Sequence, residues 1–270
     1  RSSRIFCPVP KLVCIAHSIN EGGKGRMLAY RLTHHVSYLT TNVSQSASES
    51  FETLGAGPKN GITTIYNGID LERFQRNEQA NLEVRLALGL SDNDLMLLAV
   101  GRLHEAKDYP NLFHAIEILL KQDDEHKNIY LFVVGDGDLR SELEHLITEK
   151  KLSTQVHLLG RRSDIPQLMS AADLFILSSS FEGFGLVVAE AMACQTYVVA
   201  TDCGGVKEVM GDTGILVQPK NSLDLAQALM RAINLSDVEV IQNNMKAVMH
   251  VSKNFDLKII VTKWLEIYAK

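Results

Sequence analysis

Two glutamates bracket a glycine-containing turn in Phe181-Glu182-Gly183-Phe184-Gly185-Leu186-Val187-Val188-Ala189-Glu190. An apolar run ends at Ser178 and a helical pattern opens near Gly185, so the turn stands where a strand passes into a helix. A helix N-terminus offers backbone N–H groups without intrahelical partners and the positive end of the helix dipole, which suits a phosphate. Gly183 and Gly185 would let a ligand approach the main chain closely. Carboxylates beside a bound phosphate repel it unless they hold hydroxyls, and a sugar supplies hydroxyls. Taken singly, Glu182 reads first as a helix cap and Glu190 as a solvated helix residue. The combination is what carries chemistry.

A second cluster is Val100-Gly101-Arg102-Leu-His-Glu-Ala-Lys107-Asp108: a strand, a glycine, then two cations five apart in a loop. Arginine is a planar fork of donors and lysine a point charge, and both match diphosphate oxygens. Charge builds on a departing nucleoside diphosphate, so such cations would act in catalysis. Gly135-Asp136-Gly137-Asp138 follows another strand, but Arg140 stands where a dinucleotide fingerprint needs its third glycine. It reads as a tight strand-to-helix turn lining the ligand crevice, with Asp138 as the helix cap. His17 closes the apolar run Leu12–Ala16 and precedes Gly22-Gly23, where it could reach a substrate or serve structure alone. His34, His35, His104 and His157 have no neighbours that single them out, and the chain has no Walker-type loop and no nucleophile elbow.

These residues need elements to hold them. Continuous apolar runs at Leu95–Val100, Tyr130–Gly135, Val156–Leu159, Leu174–Leu177, Tyr197–Thr201 and Gly214–Val217 predict strands buried on both faces. Helical patterns at Tyr109–Lys121, Leu139–Lys150, Asp164–Ala172, Gly185–Cys194 and Ser222–Ala232 alternate with them. That alternation predicts an α/β fold with a doubly wound parallel sheet. The first 75 residues repeat the grammar on a smaller scale, with strands at Leu12–Ala16, Val36–Val43 and Ile62–Tyr66 and helices at Arg26–Leu32 and Gln45–Leu54. Asn67-Gly68 marks a turn and Asp70–Asn77 a polar linker. Three strands are few for an independent domain, so this part reads as the end of a domain whose beginning is absent.

Over 270 residues, 46% are hydrophobic and 22% charged, enough to bury a core. No apolar run is long enough to cross a bilayer or to act as a signal peptide. Cys7, Cys14, Cys194 and Cys203 show no paired spacing and read as reduced thiols. Residues 1–40 carry a net +5 and the rest −10, with no aromatic-interleaved basic stripe for nucleic acid. The basic start could face anionic lipid or a phosphorylated substrate, or be ordinary surface charge.

Together the ordered motifs resemble glycosyltransferase family 4, retaining enzymes of the GT-B architecture with two facing Rossmann-like domains. The set comprises Asn67-Gly-Ile-Asp70, Gly101-Arg102 with Lys107, Gly135-Asp-Gly137, Leu159-Gly-Arg161, Ala172-Asp-Leu174, Glu182-x7-Glu190 and Gly204-Gly205-x2-Glu208. The resemblance implies that Glu190 holds the nucleotide ribose and that Glu182 lies by the donor sugar. Main chain around Phe184–Leu186 and Val187 would contact sugar or phosphate, Arg102 and Lys107 would stabilise the diphosphate, and Arg161–Ile165 would pack around the base. His17 would approach the donor sugar.

No metal or cofactor is implied, since the two cations supply the charge. Ala16-His17-Ser-Ile-Asn-Glu-Gly-Gly23 is similar to bacterial members that build surface polysaccharides on lipid-linked acceptors. The expected partners are therefore a nucleotide-sugar donor, with UDP favoured, and a glycan or polyprenyl-linked acceptor. The expected location is cytoplasmic, peripheral at the inner face of the plasma membrane. The implied layout is a partial acceptor-side domain over 1–75, a donor domain over 76–252, and a closing helix over 253–270 that crosses back to the first domain. Without the earlier part of that domain, this helix and the first residues would expose apolar surface. Two alternatives are a module that binds nucleotide sugar without turnover and a sugar-nucleotide 2-epimerase. The latter would need acid/base carboxylates in the first domain, where only Glu21 lies near a loop of interest.

Overall fold

The computed structural model describes residues 11–18, 23–122 and 128–269, so Cys7 and the Glu21-Gly22 pair lie outside the described residues. The larger part is a six-stranded parallel sheet: β4 (Leu95–Val100), β5 (Ile129–Val134), β6 (Val156–Gly160), β7 (Leu174–Leu177), β8 (Tyr197–Thr201) and β9 (Ile215–Val217). Its order is β6-β5-β4-β7-β8-β9. The chain winds outward from β4 to one edge, returns to β7, and winds to the other edge. Alternate residues of each strand feed opposite faces, because successive side chains of a strand point to opposite sides. Met96 and Leu98 join Phe175, Leu177, Val198 and Ala200 in one core, while Leu97 and Ala99 join Leu174, Ile176, Tyr197 and Val199 in the other. Both layers are buried, which is why the strands read as unbroken apolar runs.

The second core is covered by α4 (Tyr109–Gln122), α5 (Arg140–Glu149) and α9 (Ser222–Ile233). The first is covered by α6 (Ile165–Ala171), α7 (Leu186–Ala193), α8 (Val206–Met210) and α10 (Asp237–Phe255). α3 (Glu78–Ala87) packs beside α6. α3 and α10 are not marked by the sequence pattern. α3 has Leu82 and Leu86 exposed, and α10 exposes Val238, Ile241, Met245 and Met249, so neither shows a clean buried stripe.

The first part carries a three-stranded parallel sheet, β1 (Val13–Ile15), β2 (Leu39–Asn42) and β3 (Thr63–Thr64), in that order. α1 (Gly23–Thr33) and α2 (Gln45–Thr53) accompany it. β2 is shorter than expected because residues 34–36 form a 3₁₀ turn. Its core is small: Ala16, Met27, Phe51, Ala56 and Ile62. The polar stretch 70–77 is docked rather than free, since Phe74 is buried in the larger core and Ser170 Oγ donates to the Gln75 carbonyl. At the far end, Ile69 and Asp256 form a parallel bridge, and the Leu257 amide donates to the Ile69 carbonyl. The last helix, α11 (Leu257–Ala269), therefore starts against the end of the first part, and leaves Val261, Leu265 and Tyr268 exposed. Among the described residues no helix is long and apolar enough to cross a membrane.

Candidate active site

The outward-and-back winding opens a crevice beyond the C-terminal ends of β4 and β7, where ligands of open α/β sheets bind. The Gly101–Asp108 and Ser178–Gly185 loops meet there. Lys107 Nζ lies 2.6 Å from Glu182 Oε1, with only 19% and 15% of the two side chains exposed. Three consecutive serines build this contact. Ser178 Oγ donates to the Lys107 carbonyl at 2.8 Å, Ser179 Oγ donates to Glu182 Oε1 at 2.7 Å, and the Ser180 amide donates to the Ala106 carbonyl at 2.9 Å. Thr201, fully buried, donates in turn to the Ser179 carbonyl. Sequence pattern alone assigns these serines no role. Three small hydroxyl residues at a buried strand end were the available signal.

Gly101 lies under the Lys107 stem, where a Cβ would come within 2.8 Å of Lys107 Cε. Tyr109 Oη donates to the Gly101 carbonyl at 3.1 Å, and burial, with Glu182 nearby, pushes its hydroxyl well above the usual tyrosine range. Gly135, at φ +144°, and Gly137 are needed because a side chain at either would overlap the carbonyls of Gly101 or Leu103. The two loops therefore pack backbone to backbone at the crevice floor. Asp138 does not cap α5 as expected. Leu139 holds that position with no side-chain cap bond, and Asp138 instead pairs with Arg102 at 2.9 Å, both largely in solvent at 79% and 65% exposure. Arg161 is also exposed and stands 4.0 Å from Asp136, while Ile165 packs at the edge of the core as α6 begins.

α7 opens at Leu186 with Gly185 at the cap position, φ +89°, a left-handed conformation that favours glycine. The Phe184 ring turns inward into an aromatic knot, 5.3 Å from Phe255 and 5.8 Å from Tyr66. Only its main chain borders the crevice. Gly183 corrects an expectation: the space a side chain would fill is taken by the His17 carbonyl, not by room for a ligand. His17, itself exposed, thereby stands beside the donor-loop candidate. Leu186 is exposed and Val187 half-buried. Glu190 is half-buried on α7, and desolvation raises its carboxyl to about 7, opposed by Arg73. The crevice thus brings together Gly101, Lys107, Glu182, Gly183 and His17, with Gly135 and Gly137 beneath. Arg102 and Arg161 stand at its solvent rim.

A profile of the family described as "Glycosyl transferases group 1" matches residues 82–247. An uncharacterised glycosyltransferase of Methanocaldococcus jannaschii is 31% identical over 269 residues, covering 93% of this chain and 67% of the relative. The putative teichuronic acid biosynthesis glycosyltransferase TuaC of Bacillus subtilis is 34% identical over 212 residues, covering 77% of this chain and 50% of TuaC. Among solved structures, Anabaena HepE in complex with UDP and glucose superposes with a TM-score of 0.86 at 28% identity, over 96% of this chain and 72% of that one. The parallel-sheet α/β fold is that of GT-B glycosyltransferases. The chain belongs to the group 1 glycosyl transferases. It spans about half to two thirds of the length of these curated relatives.

Proposed function

We propose that this chain carries the donor-binding half of a retaining glycosyltransferase. It takes a hexose or N-acetylhexosamine from a nucleoside-diphosphate sugar, UDP-linked, and passes it to a glycan or lipid-linked glycan in surface polysaccharide synthesis. The observation that carries this reading is the mostly enclosed Lys107–Glu182 pair close to the start of α7, flanked by Arg102. A diphosphate entering the crevice would meet Lys107, Arg102 and the first amides of α7, all suited to its charge. Glu190 suits the vicinal hydroxyls of a ribose and Glu182 those of the sugar. HepE's complex with UDP and glucose supports the UDP-linked donor, and TuaC's assignment to teichuronic acid synthesis supports the acceptor class. An acceptor on a lipid carrier would bring the chain to a membrane face.

In the reaction, the bond from the sugar C1 to the phosphate oxygen breaks as the acceptor oxygen bonds to C1 from the same face. The acceptor proton passes to the departing phosphate oxygen. Lys107 and Arg102 hold the charge that develops there, without a metal. Calorimetry with UDP-, GDP- and ADP-sugars, followed by transfer and donor-hydrolysis assays in EDTA, tests the reading. Micromolar binding of one UDP-sugar with EDTA-insensitive turnover is the expected result. No affinity for any nucleotide sugar would sink it, and binding without turnover would favour a module that only binds donor.

A further inference from the structure

The motif Gly204-Gly205-x2-Glu208 has no part in the chemistry above, yet its glutamate reaches across to the first part of the chain. Glu208 Oε2 accepts from the Gln45 amide at 2.8 Å and Oε1 from the Ser46 amide at 2.7 Å. Those are the first amides of α2, and Ser44 Oγ accepts from the next, Ala47, at 3.1 Å. A carboxylate is favoured there by both the unpaired N–H groups and the helix dipole. Tyr66 Oη is the carboxylate's third donor, 3.1 Å from Oε2, and burial with Glu208 alongside raises its hydroxyl to about 12.

The turn held in this way is placed between two loops of the site. Ser44 Oγ donates to the Gly183 carbonyl at 2.7 Å, and Asn42 Nδ2 donates to the Ser18 carbonyl at 3.1 Å. The glycines confirm how closely the pieces fit. A side chain on Gly205 would overlap Ser44, one on Gly183 would overlap the His17 carbonyl, and one on Gly204 would overlap the Glu182 carbonyl. A shift of the β2–α2 turn is therefore passed directly to His17 on one side and to Glu182 on the other.

We propose that Glu208 is a positioning residue for sugar transfer, seating the β2–α2 turn so that the His17 loop and the Glu182–Gly183 loop stand in register at the donor sugar. This rests on the transferase reading. The Glu208 carboxylate is taken up by the Gln45 and Ser46 amides and by Tyr66, so it acts on turnover more than on donor affinity.

The test uses the whole 270-residue chain, with wild type measured first. Glu208→Gln, which cannot accept from both amides, should lower turnover by about ten-fold, within the about 10²-fold that a misplacement of about 1 Å can cost. Donor Kd should stay within about two-fold, because the nucleotide contacts are untouched. Glu208→Asp, which keeps the charge, should recover part of the loss. Hydrogen exchange at Gln45 and Ser46 should speed up in step. Leu229→Ala, a core change in α9 remote from the junction, serves as the control for lost stability. If it lowers turnover as much at equal loss of Tm, or if Glu208→Gln leaves turnover unchanged, the positioning role is wrong. If wild type binds donor without turning it over, the His17 ring resonance is read instead. Donor should shift it in wild type and not in Glu208→Gln at equal occupancy, and an identical shift in both overturns the proposal. Wild type that binds no nucleotide sugar overturns the transferase reading itself.

Discussion

The site holds two cation–carboxylate pairs that differ in everything but their chemistry. Lys107–Glu182 is 2.6 Å long and mostly enclosed, with Ser178 and Ser179 fixing its backbone and its carboxylate. Arg102–Asp138 is 2.9 Å long and mostly in water. Charges drawn out of water interact strongly and are costly to leave unpaired, whereas exposed pairs are screened and loosely held. The enclosed pair is thus a built part of the crevice. The exposed one leaves the Arg102 side chain largely in solvent, where the proposed contact with a diphosphate would need it to turn.

Lys107→Ala should have the largest effect, lowering turnover by about 10²–10³-fold, the usual cost of a group aimed at developing charge. It should also lower stability, by less than the about 3–5 kcal/mol of a fully buried pair, because some of each side chain reaches solvent. Kinetics and urea unfolding read both effects, and a stable, fully active variant would refute the distinction.

Glu190 carries the theme of enclosure to pH. Its carboxyl is raised from about 4.5 to about 7, so at pH 6 the folded chain keeps a proton that the unfolded chain has released. Stability of the free chain should accordingly fall as pH rises from about 4.5 to about 7, and Glu190→Gln should flatten that slope. Donor affinity should move the other way, rising up to about ten-fold from pH 6 to pH 8 as the carboxylate becomes a better acceptor of two hydroxyls. Calorimetry at the two pH values checks it, and a flat wild-type profile would count against a ribose role.

Arg102→Ala should cost about ten-fold in turnover, more at low salt than at high, since its charge is screened until donor binds. Asp138→Ala should change stability by at most about 1 kcal/mol and leave donor binding equal or slightly tighter. If Asp138→Ala instead destabilises the chain as much as Lys107→Ala, the two pairs are not different in kind.

The larger sheet was legible because its strands are buried on both faces. Runs such as Leu95–Val100 and Leu174–Leu177 coincide with β4 and β7 to the residue. α10 was not legible. Its apolar residues lie both inward, as Val251 and Phe255, and outward, as Ile241 and Met249, so no single stripe marks it. In the site, glycine and charge spacing drew attention to the correct loops, but the partners chosen by the side chains were read less well. Asp138 was expected to serve α5 and serves Arg102. Gly183 was expected to make room for a ligand and makes room for the His17 carbonyl. Ser178, Ser180 and Glu208 act through residues 70 or more positions away in the chain, beyond the reach of any local pattern.

The amino-acid sequence by itself determined the doubly wound sheet, the order of its motifs and which loops gather at its C-terminal edge. Those follow from hydrophobic periodicity and turn chemistry, which are local. Only the tertiary structure decided that Lys107 and Glu182 are enclosed together, that Arg102 rests in solvent, and that Glu208 ties the larger part of the chain to the first turn of α2. Burial and long-range hydrogen bonding are set by what arrives from elsewhere in the chain, so no window of sequence contains them.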